Sequence, residues 1–467
     1  MLKNVLFILG AAAFFYGGLG SYALLNNNEG LYAQIAWEML ESGNWVIPHL
    51  NGVPYIEKPP LLYWLVAGSF KLFGKNEWAA RLVPATFGFL TCLALYVFAG
   101  SFHKRRWGQL SAFVLATCCG FIVFSRMVFF DVVLTFFLTA SALCFYKFYD
   151  TEEKKYVYGL SCFMAAAVLT KGLVPLALMG LLILVFLVLE KNLLFLRVLL
   201  NPGACGVFFM LAVPWHVAAA LQEKGFLWFY FVNEQWMRFL DKRVPRDYYT
   251  GPFYYYFPRV LGYMVPWTFL APFFVRKKSL TESSSLQRFL GCWFLTFFVF
   301  FSLSKAKANY YMVVGMPPLA LWLGMHLSGY RWQKRITVLA AISSATLMVA
   351  AIVYVKNHED HFSTKGSLSV VSKETPLYLY KRFEELSTLP FYVGRPIPII
   401  ESESHDLWYG KGTLKREDLF LSDKDPFLKQ RVVYVMKKDQ NEFLEKQGDI
   451  PPKIIYDFPG YSIFYHH

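Results

Sequence analysis

Apolar residues occur along this chain in blocks close to 20 residues long, separated by polar segments. A helix needs about 20 apolar residues to cross the hydrocarbon core of a bilayer, which is roughly 30 Å thick. We therefore predict eleven membrane-spanning helices. They lie near residues 4–25, 79–101, 108–127, 130–149, 156–170, 172–190, 198–220, 255–275, 288–304, 309–328 and 335–355.

The pattern changes after about Lys356, where the long apolar blocks end and charged residues become frequent. Residues 431–435 and 461–465 are rich in valine, tyrosine and other strand-forming residues, and they predict strands. Residues 377–386 predict a helix. We therefore divide the chain into a transmembrane domain, residues 1–355, and a small α/β domain outside the membrane, residues 356–467.

The polar segment after the first span, residues 26–78, carries a helical pattern of its own. Ile35 and Met39 recur at the spacing of an amphipathic helix, and Gln34 falls on the opposite face. This pattern predicts a helix that lies in the membrane interface. Residues 61–73 are apolar but too short for a confident span, and they predict a second interfacial or re-entrant helix.

Composition and charge support a membrane protein with a defined orientation. Hydrophobic residues make up 56% of the chain and charged residues 17%, against about a quarter in soluble domains. The net charge is +14, but cytoplasmic loops are enriched in Lys and Arg, so no nucleic-acid partner is predicted. The N-terminus is predicted to be cytoplasmic and the C-terminal domain to lie outside, because one side collects the basic runs at 103–106, 154–155, 276–278 and 331–335.

Two carboxylates from distant parts of the chain fall on the predicted outer side. Glu29 follows Asn28 directly after the first span, and Asp131 lies in a short turn between two apolar blocks. Charges near the membrane are costly and usually have a functional reason. The alternative is a structural role for these residues, because Asn28 and Glu29 suit a helix start and Asp131 suits a turn.

Cations are also frequent on the predicted outer side, against the usual bias of membrane proteins. Lys58, Lys171, Arg238 and Arg243 are among them. An anionic ligand is one explanation, because Lys and Arg stabilise phosphate oxygens. The alternatives are ion pairs with nearby acidic residues, such as Glu57 beside Lys58, and contacts with lipid headgroups.

The first outer loop resembles a known superfamily. The runs Asn28-Glu29-Gly30-Leu31-Tyr32 and Glu57-Lys58-Pro59-Pro60 are similar to the signature loop of the aminoarabinose transferase and protein O-mannosyltransferase superfamily. The resemblance implies the GT-C fold, a polytopic all-α membrane bundle with outer interfacial helices and a small C-terminal α/β domain. It continues at residues 80–82, 126–131, 169–172, 214–216, 233–239, 310–311 and 317–318.

The resemblance also implies where a site lies. It places an acidic pair at Asn28-Glu29, a Glu-Lys pair at Glu57-Lys58 with the lysine on a carrier phosphate, and a further acidic residue at Asp131. Glu57 is the candidate ligand for a divalent metal, a cofactor that the resemblance leaves open. The expected catalytic residues are Glu29 and Asp131, and the expected substrate-binding residues are Asn28, Tyr32, Tyr55, Lys58, Arg126, Lys171, Arg238 and Tyr310.

The chain departs from the family pattern at three positions. Asn28 stands where the family usually has Asp, Gln235 stands where aminoarabinose transferases often have His, and Leu31 replaces an Arg. An amide cannot act as a general base, so that role is assigned to Glu29 or Asp131. The sugar and the acceptor stay open because of these departures.

The function that the resemblance implies is glycosyl transfer in the bacterial inner membrane. The expected donor is a sugar on undecaprenyl phosphate, and the expected acceptor is an envelope lipid of the lipid A type or a glycan, at the outer face. The alternatives are a protein O-glycosyltransferase of the same fold, a polyprenyl-lipid flippase without chemistry, and a non-catalytic envelope scaffold. A flippase predicts inverted repeats and helices broken near the midplane, and the sequence pattern shows neither.

Overall fold

The computed structural model describes residues 10, 12–102, 104–246, 250–275, 284–414, 416–422, 431–447 and 452–466. Three features of the sequence lie outside these residues: the start of the first predicted span, His103 and the basic run 276–278. The α-helices, in chain order, are α1 (Asn28–Ser42), α2 (Leu61–Phe73), α3 (Glu77–Gly100), α4 (Arg105–Ala116), α5 (Cys119–Ser125), α6 (Phe130–Thr151), α7 (Lys154–Lys171), α8 (Val174–Leu189), α9 (Phe195–Leu199), α10 (Pro202–Gln222), α11 (Tyr256–Tyr263), α12 (Trp267–Leu270), α13 (Ser285–Leu303), α14 (Met316–Ser328), α15 (Gln333–Asn357), α16 (Glu359–Phe362), α17 (Thr388–Val393), α18 (Trp408–Leu414) and α19 (Gln440–Lys446).

Other helix types and the strands complete the described chain. A π-helix covers Leu227–Met237, and 3-10 helices cover Ala271–Phe273, Asn309–Gly315, Lys365–Ser369, Glu384–Leu386 and Lys437–Asp439. The strands are β1 (His49–Leu50), β2 (Val53–Pro54), β3 (Leu377–Tyr380), β4 (Ile399–Ile400), β5 (Phe420–Leu421), β6 (Arg431–Met436), β7 (Lys453–Asp457) and β8 (Tyr461–His466).

Five single helices in the described part of the chain are long and apolar enough to cross a membrane: α3, α6, α10, α13 and α15. The pair α4 and α5 passes the same test together, but the two helices are bent by 70° at the break between them. Helices α2 and α8 are apolar and shorter. Several of the eleven predicted apolar blocks therefore fold as shorter or broken helices in the part of the chain that the structure describes.

The block at 255–275 is one of the broken ones. It forms α11, α12 and a 3-10 turn instead of one span. Pro266 precedes α12 and Pro272 lies in the 3-10 turn, and a proline both lacks the N–H that continues a helix and clashes with the preceding turn. A hydropathy pattern detects the apolar side chains of such a block but does not detect the breaks in its helix.

The chain divides into two compact units, each made of separate stretches. Unit 1 contains Met1–Gly18, Glu57–Leu62 and Arg81–Val349, and unit 2 contains Leu19–Ile56, Tyr63–Ala80 and Ala350–His467. The predicted division at residue 355 stays a prediction. The units add that most of the first outer loop groups with the C-terminal residues.

Unit 1 is a bundle in which α6 packs on α7, α7 on α10, and α4 on α14. The α4–α14 contact is close because Gly324 faces Ser111, and a Cβ at Gly324 would lie 2.7 Å from the Ser111 backbone nitrogen. Trp107 of α4 donates its indole N–H to the Leu321 carbonyl at 2.8 Å. Small residues that let helix backbones approach are typical of helix contacts in membranes.

Unit 2 contains a six-stranded sheet in the order β5-β4-β3-β6-β8-β7. Strands β3 to β6 pair in parallel, whereas β8 pairs antiparallel with β6 and β7. The predicted α/β domain and its two strands at 431–435 and 461–465 are confirmed. The helix predicted at 377–386 is wrong, because Leu377–Tyr380 forms a largely buried strand of the parallel part of the sheet.

Helix α1 of unit 2 confirms the helix predicted in the first outer loop, but part of its polar face is buried. Gln34 is buried and donates to Glu38 at 2.7 Å. The Glu38 carboxylate in turn accepts from the backbone N–H groups of Asn51 and Gly52, at 2.8 and 3.0 Å. On the polar side of α1, Glu38 therefore binds the β1–β2 turn through hydrogen bonds, whereas Glu41 is exposed.

Candidate active site

A buried cluster of charges in unit 1 centres on Arg243. Its guanidinium contacts two carboxylates that are far apart in sequence: Nη2 lies 2.5 Å from Glu57 Oε1, and Nε donates to Glu234 Oε1. Nη1 donates to the Pro245 carbonyl at 3.3 Å. All three charged side chains are at most 6% exposed. Arg243 is thus an internal counter-ion shared by Glu57 and Glu234.

Two further cations contact the second oxygen atoms of these carboxylates. Arg238 Nη1 lies 3.1 Å from Glu234 Oε2, and Lys58 Nζ lies 3.6 Å from Glu234 Oε2 and 3.5 Å from Glu57 Oε2. The cluster therefore holds three cations against two carboxylates. It carries one net positive charge, which favours an anionic ligand.

Local backbone structure explains how the cluster is held. Glu234 lies on the π-helix, and Arg238 follows it at the i,i+4 position. Asn233 fixes the loop that carries Arg243, because its amide both donates to the Val244 carbonyl at 2.7 Å and accepts from the Val244 N–H at 2.9 Å. π-Helices are rare and are frequently found at functional sites.

A second ion pair joins the ends of two helices of unit 1. Asp131 lies in the first turn of α6, where the helix dipole favours an anion. Lys171 lies at the end of α7, where a cation is favoured, and its Nζ is 2.6 Å from Asp131 Oδ1. The same ammonium lies 4.3 Å from the ring centre of Tyr311 and 5.5 Å from that of Tyr310.

A cavity of about 360 Å³ in unit 1 brings the two groups together. Its charged lining comes from Lys58, Lys171, Glu234 and Arg238. The rest of the lining is mainly apolar or aromatic and includes Leu173, Val174, Ala177, Phe231, Trp236, Phe239, Phe300, Phe301 and Tyr311. Three cations beside a large apolar surface suit a ligand that has an anionic head and a hydrocarbon tail.

The predicted substrate-binding residues Lys58, Lys171 and Arg238 therefore share one cavity, and Asp131 and Tyr310 contact Lys171. The other predicted residues of the first loop, Asn28, Glu29, Tyr32 and Tyr55, belong to unit 2. There the Glu29 carboxylate is buried and accepts from the Leu25 N–H at 2.9 Å.

The other first-loop residues have local contacts as well. Tyr32 donates its hydroxyl to the Asn28 side chain at 3.1 Å, and Tyr55 is buried. Asn27 precedes the helix and supplies no side-chain cap. Asn28 is therefore the first residue of α1 and not its N-cap, which corrects the structural explanation weighed for it.

Arg126 binds backbone carbonyls in unit 1. Its guanidinium donates to the carbonyls of Phe14, Phe15 and Gly17, at 3.0, 3.2 and 2.5 Å, and the side chain is buried. Helical carbonyls near a C-terminus need such donors. These contacts tie the end of α5 to residues 14–17, and the contact of Arg126 with substrate stays a prediction.

Sequence reasoning missed the role of Glu234 and left Arg243 among several cations. One local signal was available, because Glu234 precedes Arg238 by four residues and such pairs interact on a helix. Arg243 connects Glu234 to Glu57, and Arg243 and Glu57 are 186 residues apart in the sequence. No local pattern contains this connection.

Electrostatics hold Glu234 and Arg243 in their charged forms, whereas burial opposes the charge on Glu57. Burial raises the pKa of Glu57. Burial would raise the pKa of Glu234 too, but the positive charges of Arg243, Lys58 and Arg238 lower it below its ordinary value. Burial disfavours the charge on Arg243, yet the carboxylates of Glu57 and Glu234 raise its pKa. Arg243 therefore stays positive at any physiological pH.

The predicted metal ligand, Glu57, does not have the surroundings of a metal site. Among the described residues no group of three His, Cys, Asp or Glu side chains is placed to hold a metal ion. The oxygens of Glu57 contact Arg243 and Lys58. Gln235, where the resemblance implies a His, accepts from the Leu173 N–H at 3.2 Å. The donors and their charges do not fit a divalent cation.

Known proteins share this fold and this sequence pattern. The family described as dolichyl-phosphate-mannose-protein mannosyltransferase matches residues 24–231. The crystal structure of ArnT from Cupriavidus metallidurans bound to undecaprenyl phosphate superposes with a TM-score of 0.86 at 20% identity, over 99% of this chain and 98% of that one. The chain has the GT-C fold. In fold and in sequence the chain is thus similar to members of the aminoarabinose transferase and protein O-mannosyltransferase superfamily, as predicted, and it is a multi-pass membrane protein.

Two curated relatives extend this GT-C assignment by sequence. Undecaprenyl phosphate-alpha-4-amino-4-deoxy-L-arabinose arabinosyl transferase of Shewanella sediminis (strain HAW-EB3) is 34% identical over 315 residues, which are 65% of this chain and 56% of the relative. The transferase of the same name numbered 2 from Pseudomonas fluorescens (strain Pf0-1) is 31% identical over 321 residues, 66% of this chain and 57% of the relative. The matched parts thus span less than two thirds of these relatives.

Proposed function

We propose that this GT-C protein transfers a sugar from undecaprenyl phosphate to an envelope lipid of the lipid A type. The observation that carries the proposal is the cavity in which Lys58, Lys171 and Arg238 lie beside a mainly apolar lining. A polyprenyl phosphate has the matching chemistry, since its phosphate is anionic and its tail is hydrocarbon. The names of the curated relatives support the donor class and make 4-amino-4-deoxy-L-arabinose the first sugar to test.

The proposed reaction is a displacement at the anomeric carbon of the sugar. The bond from this carbon to the phosphate oxygen breaks and releases undecaprenyl phosphate, while an acceptor oxygen forms the new bond. Lys58, Lys171 and Arg238 stabilise the negative charge of the departing phosphate. Preorganised charges of this kind in a water-poor site usually supply a large part of catalysis.

The acceptor proton must also go to a base when the acceptor is a hydroxyl. We assign this role to Asp131 or Glu29, the two carboxylates singled out on the predicted outer side. Asp131 touches Lys171, which lines the cavity. An acceptor phosphate oxygen would already be ionised and would need little base. The reaction is proposed for the outer face of the bacterial inner membrane, with a cytoplasmic N-terminus and an extracytoplasmic C-terminal domain.

Transfer by the purified full-length chain in lipid nanodiscs tests the proposal. We expect label from undecaprenyl-phosphate-linked aminoarabinose to reach lipid A, and unlabelled undecaprenyl phosphate to compete. A panel of other undecaprenyl-phosphate sugars and a membrane extract extend the assay to other donors and acceptors, and empty nanodiscs are the control. Labelled protein as the product would favour the O-glycosyltransferase alternative. Tight carrier binding without transfer from any donor would favour a flippase, which the bent α4–α5 pair would also suit.

Asp131→Asn and Glu29→Gln test the assignment of the base. General-base catalysis contributes about 10²–10⁴-fold in rate, so the variant that loses the base is expected to lose this factor with a hydroxyl acceptor. The same variant should lose much less with a phosphate acceptor. Initial rates with both acceptors, and carrier binding measured separately, provide the comparison. Unchanged rates in both variants would exclude both carboxylates.

A further inference from the structure

Glu57 and Glu234 form a carboxylate pair that would attract a cation in any buried site. Both side chains are at most 6% exposed, and both contact the same guanidinium. Two buried like charges this close repel each other unless a cation lies between them. Proteins solve this problem with a bound metal or with a basic side chain, and here Arg243 is the cation.

The contacts of Arg243 leave no equivalent place for a metal ion. Its Nη2 contacts Glu57 Oε1 at 2.5 Å and its Nε contacts Glu234 Oε1, while the second oxygens of both carboxylates face Lys58 and Arg238. A metal ligated by these oxygens would sit among three positive charges. A catalytic zinc site also needs about three protein ligands.

Gln235 gives a second, independent indication that no metal ion binds at this site. Its side-chain oxygen accepts from the Leu173 N–H, and a Cβ built at Gly172 would lie 2.6 Å from its Nε2. Gly172 has a positive φ of 71°, so this close contact depends on a glycine. Gln235 thus packs on the turn that follows Lys171 and holds that lysine's backbone.

We propose that Arg243 occupies the place of a divalent metal between Glu57 and Glu234, and that sugar transfer by this chain is therefore independent of divalent metals. Arg243 is a positioning residue: it contacts the carboxylates that orient Lys58 and Arg238. Its planar fork binds both carboxylates at fixed angles, which a lysine cannot reproduce. The catalytic part of this inference rests on the proposed function, whereas the metal-binding part does not.

Metal content measured on the purified full-length protein tests the inference without any donor. After dialysis against EDTA and then against micromolar Zn²⁺ or Mn²⁺, we expect less than one tenth of an equivalent of metal per chain, by mass spectrometry and by calorimetric titration. One equivalent that is lost in Glu57→Gln would overturn the inference, whether or not the chain transfers sugar.

The sugar-transfer activity provides a second test of the inference. Transfer is expected to change less than twofold between EDTA and each divalent ion. Arg243→Met should lose about 100-fold, because misplacing catalytic groups by about 1 Å has this effect, and added guanidinium should restore part of the rate to Arg243→Ala. Arg246→Met is the matched control, since Arg246 is exposed and its guanidinium pairs with Asp241 at 3.2 Å. Loss of transfer in EDTA that Zn²⁺ or Mn²⁺ reverses would overturn the inference, and no transfer under any condition would overturn the proposed function instead.

Discussion

Replacing Glu234 with glutamine is expected to lower the free energy of unfolding by about 3–5 kcal/mol, the usual cost of breaking a buried ion pair from one side. Glutamine preserves the size of the side chain and removes its charge. Glu234 contacts Arg243, Arg238 and Lys58, so the variant leaves these three cations opposite Glu57 alone. The buried net charge then rises from one to two, and the cations lose the contacts that hold them in place.

Chemical unfolding in detergent, followed by tryptophan fluorescence, measures this effect. Glu153→Gln is the matched control, because Glu153 also pairs with a lysine, Lys155, but both side chains are largely exposed. Exposed pairs contribute little to stability, so the control should unfold with the native protein. Equal stability of Glu234→Gln and the native chain would mean that Glu234 is not the anion that holds the cluster together.

Much of the architecture could be predicted from the sequence because hydrophobicity is a local property. Apolar blocks located the helices of the bundle, and the spacing of Ile35 and Met39 located α1. The breaks within the helices were harder to predict than the positions of the helices. The block at 108–127 bends by 70° between Ala116 and Cys119, and the 255–275 block breaks near its prolines, although both read as apolar throughout.

The mistake at residues 377–380 has a physical reason. A strand with covered faces needs no polar alternation, so it reads as a short apolar run that periodicity cannot separate from a helix. Leu377–Tyr380 is such a strand, with β4 on one side and β6 on the other. Strands β6 and β8 carry more valine, tyrosine and other strand-forming residues, and those two predictions were correct.

The cations of the candidate site could be predicted from the sequence, but the contacts that each of them makes could not. Lys58, Lys171 and Arg238 could be selected because positive charge on the outer side of a membrane protein needs an explanation. Arg126 was selected from the resemblance at residues 126–131, and its guanidinium binds backbone carbonyls. Whether a cation faces a cavity or the backbone depends on contacts between distant residues, which composition and spacing do not contain.

Replacing Lys58 with methionine is expected to reduce sugar transfer by about 10²–10³-fold, the usual effect of removing one charge-stabilising group from an active site. Methionine preserves most of the aliphatic stem. Without Lys58, the carboxylates of Glu57 and Glu234 still face Arg243 and Arg238. The remaining buried charges therefore balance, and stability should change little.

The two variants thus act on the same cluster in opposite directions. Glu234→Gln adds one net positive charge and removes support, whereas Lys58→Met removes the net positive charge and keeps the carboxylates paired. Initial transfer rates, affinity for undecaprenyl phosphate and unfolding, measured for both, separate charge from support. Lys224→Met, at an exposed lysine, is the control for Lys58→Met. If Lys58→Met binds the carrier and transfers sugar like the native chain, then the phosphate binds elsewhere, and the net positive charge of this cluster serves only the fold.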